Sequence, residues 1–136
     1  MINMKSKLSG VFSLIGFLLI SINVVAVQPA KEMITRVEMG PVNPQMVKTG
    51  KGLFTSKCIV CHDLDKKKVG PALRNVTKER KPEYIMNVMY NTAKMQKFDP
   101  VYKGLLVKFK NVPMPDPHLT QAQDRAILEY LRSVAK

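Results

Sequence analysis

Cys58-Ile59-Val60-Cys61-His62 sets two thiols three positions apart with an imidazole directly after the second, and these are the only 2 cysteines in the chain. That spacing is the attachment signature of a c-type haem. Each sulfur can add across one of the two porphyrin vinyl groups, and a single helical turn holds two sulfurs about as far apart as those vinyls require. The histidine then lies over the ring, where it can ligate iron. The pattern predicts one covalent haem c, carried on Cys58 and Cys61 with His62 on the metal.

An imidazole that ligates iron through one nitrogen usually donates its other N–H to a fixed acceptor. Gly70-Pro71-Ala72-Leu73 follows the motif closely. Pro71 has no N–H of its own and holds its neighbours rigid, so its carbonyl suits that acceptor; alternatively the stretch is only a turn. Between motif and proline runs Asp63-Leu64-Asp65-Lys66-Lys67-Lys68-Val69, either a solvated loop or a positive surface beside the haem edge. Further on, prolines at 113, 115 and 117 exclude helix and central strand by removing backbone donors. Met114 is held between two of them, a placement that surface solvation explains poorly.

Helices must position these groups. Asn43-Pro44 gives an N-cap and a first-turn proline, and Met46, Val47, Gly50, Leu53, Phe54 and Lys57 follow at three- and four-residue steps. Gly50 costs such a helix about 1 kcal/mol relative to alanine; it marks either a close helix crossing or a weak point. Pro82 opens a second helix, with Tyr84, Ile85, Val88 and Met89 as its core stripe, ending near Ala93 to Gln96. Asp99-Pro100 opens a short third, with Val101, Leu105, Leu106 and Phe109 inward. Thr120 and Gln123 form a capping box before a last helix with Ala126, Ile127, Tyr130, Leu131 and Val134 on one face. No segment alternates in the manner of a strand, so the domain is expected to be all-α.

A length of 136 residues suits one domain. Residues 1–26 read as a signal peptide: Lys5 and Lys7 precede an uncharged run from Leu8 to Ala30, and Val24 and Ala26 supply the small residues of a cleavage site. If retained, residues 8–30 are long enough to anchor the chain in a bilayer. Residues 27–43 form a linker or an extended arm packed on the domain, and residues 44–136 the domain itself. Export puts the protein in the periplasm, soluble or tethered to the outer face of the cytoplasmic membrane, where a lone cysteine pair without haem would tend to form a disulfide. A net charge of +12 steers the chain toward acidic partners, anionic lipid or nucleic acid. With no Trp, 5 Phe and 4 Tyr it lacks the rings of a single-strand stacking platform, and nucleic acid is set aside.

Taken together, Cys58 to His62, Gly70 to Leu73, Met114 with Pro115, and Ile127-Leu128-Glu129-Tyr130-Leu131 make the stretch from Asn43 to Lys136 resemble a class I monohaem cytochrome c. The resemblance implies a compact fold of about four to five helices wrapped around the haem, with Gly50 and Phe54 meeting Ile127 and Tyr130 where the terminal helices cross. It implies His62 as proximal ligand, the Pro71 carbonyl as its acceptor and Met114 sulfur as the sixth ligand, with Phe54 and Leu73 against the cofactor. Met89 is more simply core, Met95 a helix end, and His118 would give bis-histidine ligation. Many members hold a haem propionate with tryptophan; here Arg74, Arg80, Tyr84 or Tyr102 would substitute.

The function implied is electron transfer rather than catalysis, as a monomer or a subunit of a redox complex. The partners expected are redox proteins with acidic docking surfaces, such as an oxidase, a reductase or a quinol-oxidising complex. Lys51, Lys57, Lys66, Lys67 and Lys68 would ring the haem edge, or else serve only solubility. The alternative is a gas-binding or catalytic haem protein with an open or replaceable sixth ligand. A thioredoxin-like site lacks its βαβ surroundings, and zinc would have only Cys58, Cys61, His62 and distant His118.

Overall fold

α1 (Pro44–Lys57) begins on a complete N-terminal cap. The Asn43 side chain accepts from the N–H groups of Gln45 and Met46, each at 3.0 Å, and Pro44 fills a first-turn position that has no need of an N–H. The computed structural model describes residues 31–136; the signal peptide expected over residues 1–26 and the start of the arm lie outside these residues. Five helices follow: α2 (Val76–Glu79), α3 (Pro82–Tyr90), α4 (Thr92–Phe98), α5 (Pro100–Lys108) and α6 (Gln121–Val134). No strand occurs among the described residues, and none of their helices is long and apolar enough to cross a membrane.

Among the described residues six helices stand, where about four to five were expected. α2 is a single turn of 4 residues, too short to leave a periodicity. The helix expected from Pro82 to about Gln96 is broken at Asn91, whose φ of −118° and ψ of 39° leave the helical region. Its side-chain amide donates to the Glu32 carbonyl at 2.8 Å and to Asn87 Oδ1 at 3.0 Å.

α1 and α6 pack at Gly50. A methyl group there would overlap the carbonyl of Ala126, so only glycine permits the approach, and the cost of glycine in a helix is offset by contact. Beside the crossing Phe54 and Tyr130 stack with ring centroids 5.3 Å apart and planes at 53°. Both halves of the α6 capping box are formed between Thr120 and Gln123. Ile127, Leu128 and Leu131 of α6 join Phe54, Ile85, Met86 and Met89 in one core.

The arm has no regular structure from Lys31 to Gly40, yet it is bonded along its length. Asn87 on α3 pairs with both backbone groups of Ile34, accepting from its N–H at 2.9 Å and donating to its carbonyl at 2.8 Å. Glu83 accepts from the Val37 N–H. Arg125 and Arg132 on α6 donate to the carbonyls of Glu38 and Gly40 while both bind the fully buried Glu129, which also accepts from the Asn43 N–H.

In α5 the inward face differs from expectation. Tyr102 is buried and Val101 is exposed, so the helix is rotated toward Tyr102, with Leu105 and Leu106 half-buried. Asp99 caps it, accepting from the Tyr102 N–H at 2.7 Å.

Candidate functional site

The motif leaves the end of α1 as one tight turn. Cys58 is the C-cap, and the His62 N–H donates back to the Cys58 carbonyl at 2.8 Å. Asp63 then folds the lysine loop, its carboxylate accepting from the N–H groups of Asp65 at 2.8 Å and Lys66 at 3.0 Å. The loop closes through Leu73 N–H to Asp63 carbonyl, Arg74 N–H to Leu64 carbonyl and Gly70 N–H to Cys61 carbonyl. This closure brings Pro71 to the imidazole: its carbonyl lies 2.9 Å from His62 Nδ1. A side chain on Gly70 would overlap the imidazole itself, so glycine clears the space in which the ring sits. Burial lowers the His62 pKa against the opposing effect of the Pro71 bond, favouring a neutral ring that carries its proton on Nδ1 and leaves Nε2 free.

His62 forms one wall of a mainly apolar cavity of about 290 Å³. Cys58, Cys61, Pro71, Leu73, Phe54 and Tyr84 line it, and so do Tyr102 and Met114. Met114 is clamped by its backbone. Its N–H donates to the Tyr102 hydroxyl at 3.1 Å, and its carbonyl accepts from the Gln96 amide at 2.6 Å. Lys110 and Asn111, both with φ near 57° to 58°, carry the chain from α5 into this loop.

The four candidates for a haem propionate separate in space. Arg74 is not in the cavity wall: it grips Asp65 through two bonds of 2.5 and 2.6 Å and donates to the Val134 carbonyl, tying the lysine loop to the end of α6. Arg80 is exposed, its guanidinium 5.6 Å from the centre of the Tyr84 ring. Tyr84 lines the cavity, and its buried hydroxyl has no hydrogen-bond partner. Tyr102 lines the cavity too, and its hydroxyl accepts from the Met114 N–H.

The residues fit a covalent haem. Two thiols, an imidazole held toward its neutral form and a thioether line one mainly apolar space, together with a buried Tyr84 hydroxyl that has no hydrogen-bond partner. Burial pushes the Cys58 thiol up to about 11, the opposite of the activated thiolate of a redox-active CxxC pair. Among the described residues no three His, Cys, Asp or Glu side chains converge as a metal site would require, and His118 is a solvent-facing side chain beside Asp116. The roles of Gly70, Gln96 and the Tyr102 hydroxyl are not apparent from the sequence. Only Gly70 carries a signal there, as a glycine set next to the rigid Pro71.

The family model described as Cytochrome c matches residues 47–135. Cytochrome c-552 of Hydrogenobacter thermophilus is 34% identical over 80 residues, which span 57% of this chain and 71% of that protein. The structure of cytochrome c from Rhodothermus marinus superposes with a TM-score of 0.72 at 45% identity, covering 75% of this chain and 88% of the other. An engineered Rhodothermus marinus cytochrome c bound to a carbene intermediate matches with a TM-score of 0.69 at 43% identity, over 75% of this chain and 88% of that one.

Proposed function

Because this chain belongs to the cytochrome c family, whose members carry one covalent haem c, we propose that it is a single-electron carrier ligated by His62 and Met114. One observation supports this above the others: the imidazole of His62 and the clamped Met114 line the same cavity, so the two side chains together would hold the iron of a bound haem. When bound, the haem supplies an iron that changes charge by one without taking up substrate, and thioether ligation raises its potential.

The chain's own residues do the rest. Cys58 and Cys61 hold the group covalently, and Pro71 fixes the ring plane and proton of His62. Tyr102 and Gln96 hold the backbone of Met114, a residue of the cavity wall, which would limit the rearrangement accompanying electron transfer. Phe54 and Leu73 exclude water from the cavity, lowering the local dielectric. We assign the unpartnered hydroxyl of Tyr84 to a haem propionate, with Arg80 over its ring as the neighbouring cation.

Lys57 lines the cavity, and Lys67 lies 4.9 Å from the centre of the Phe109 ring in its wall. These cations support docking on acidic surfaces of redox proteins such as an oxidase or a quinol-oxidising complex. The basic start and apolar run of residues 1–26 support export to the periplasm, the compartment in which c-type haem is attached.

The second reading, a replaceable sixth position, draws on the engineered Rhodothermus marinus relative that holds a carbene. Mixing the reduced, haem-loaded protein with carbon monoxide separates the two. A carrier binds the gas slowly or not at all while exchanging electrons rapidly with a mediator; fast gas binding by the unmodified protein favours the second reading.

A further inference from the structure

Asp124 has no exposed surface, and, unlike the equally buried Glu129, neither of its carboxylate oxygens has a hydrogen-bond partner. A buried carboxylate without partners is costly when charged, and a protein retains one either at a loss or because its charge changes in use. Its position connects it to the electron-transfer site. It lies on α6 one turn before Ile127, which lines the cavity, and its charge is felt at Cys58, a carrier of the cofactor.

We propose, building on the electron-carrier reading, that Asp124 is a redox-linked proton-binding site: it takes up one proton from water when an electron is added to the haem and releases it when the electron leaves. The electron comes from the reducing partner and ends on iron, which goes from ferric to ferrous. The proton comes from water and forms one O–H bond on an Asp124 oxygen. Reduction adds negative charge to the low-dielectric interior, and this raises the proton affinity of a nearby carboxylate. By linkage, the protonated acid raises the affinity for the electron by the same factor.

The groups around the site suit this role. Lys31 of the arm opposes protonation, while Asp116 of the Met114 loop favours it, and the two lie 4.0 Å apart at the partly exposed surface. Lys94 of α4 donates to the Lys31 carbonyl, Tyr90 of α3 lies under the Lys31 ammonium, and His118 pairs with Asp116. On α1, Lys57 is committed to the Pro117 carbonyl, and Cys58 is a thioether once the haem is attached. Burial pushes the Asp124 carboxyl up to about 7, so near neutrality a modest change in charge shifts its occupancy most.

The test is the midpoint potential of the haem-loaded protein as a function of pH, with infrared difference spectra between the two oxidation states. The native protein is expected to lose affinity for the electron by on the order of tenfold as pH rises through neutrality, about 59 mV for a one-electron couple. A protonated-carboxyl band is expected to grow on reduction. Asp124→Asn removes both the neutral break and the band, while Lys31→Gln moves the break to higher pH. A reversible couple whose neutral break persists in Asp124→Asn, as titrating propionates would give, overturns the proposal. Loss of any reversible one-electron couple in the native protein instead overturns the electron-carrier reading on which it rests.

Discussion

The backbone N–H of Met114 donates to the hydroxyl of Tyr102 across 3.1 Å, joining the proline-rich loop to the one buried residue of α5. Tyr102→Phe removes that acceptor and leaves a partly buried N–H unpaired, at a cost of about 1–3 kcal/mol. The haem is expected to remain attached. Binding of carbon monoxide to the reduced variant is expected to accelerate about tenfold or more, since 1.4 kcal/mol off the loop's closed state is a factor of ten. Stopped-flow mixing measures this, and an unchanged rate would show that the hydroxyl does not hold the loop.

Gly50 and Gly52 make a controlled pair. A methyl group at Gly50 meets the Ala126 carbonyl, whereas at Gly52 it meets nothing within 4 Å. Gly50→Ala is expected to destabilise by roughly 3 kcal/mol through overpacking, and Gly52→Ala to stabilise by up to about 1 kcal/mol through helix propensity. Thermal unfolding of the two haem-loaded variants checks the sign of each.

Glu129 carries a pH dependence. Burial alone would raise its pKa, but hydrogen bonds from Arg132, Asn43 and Arg125 outweigh that and hold the carboxyl below the usual range. A folded-state pKa below the unfolded one contributes stability above the unfolded value, which is lost as pH falls through the folded value. Glu129→Gln is expected to cost about 3 kcal/mol at neutral pH, because it leaves two partly buried arginines without their counter-charge. The cost is expected to shrink as pH drops below about 4.5. Denaturant unfolding at several pH values measures it. Hydrogen exchange is expected to quicken in residues 31–43, which those arginines bind.

Features of the fold that depend on near neighbours in the chain are legible in the amino-acid sequence. Caps are local, and Asn43-Pro44, Asp99-Pro100, Thr120 and Gln123 each form the helix start that their types predict. Gly50 is legible because a cost without a local benefit points to a neighbour. The break at Asn91 is not, since it depends on the backbone of Glu32 far away in sequence. Nor is the face of α5, where a helix of 9 residues has too few turns to separate Val101 from Tyr102 by pattern. Arg74 reads as a haem contact in sequence, whereas Asp65 and the Val134 carbonyl take its donors, and they approach only after the loop closes.

The proposed docking through Lys57, Lys67 and their neighbours would make the encounter electrostatic. The second-order rate of electron transfer to an acidic redox partner is expected to fall steeply as salt is added, since exposed charges are screened within about 8 Å at physiological ionic strength. Charge reversal at Lys67 is expected to slow the reaction at low salt and to have little effect at high salt. A salt-independent rate would leave these lysines to solubility.

The electron-carrier proposal requires that His62 and Met114, which line one cavity, both ligate the iron of the bound haem. Its most direct test is the Met114→Ala protein, haem attached, compared with the native form by redox potentiometry and by carbon monoxide binding. The predicted result is a covalently bound haem with a lower potential and rapid binding of the gas. A variant with the native spectrum, the native potential and no gas binding would contradict it, because another residue would then hold the sixth position.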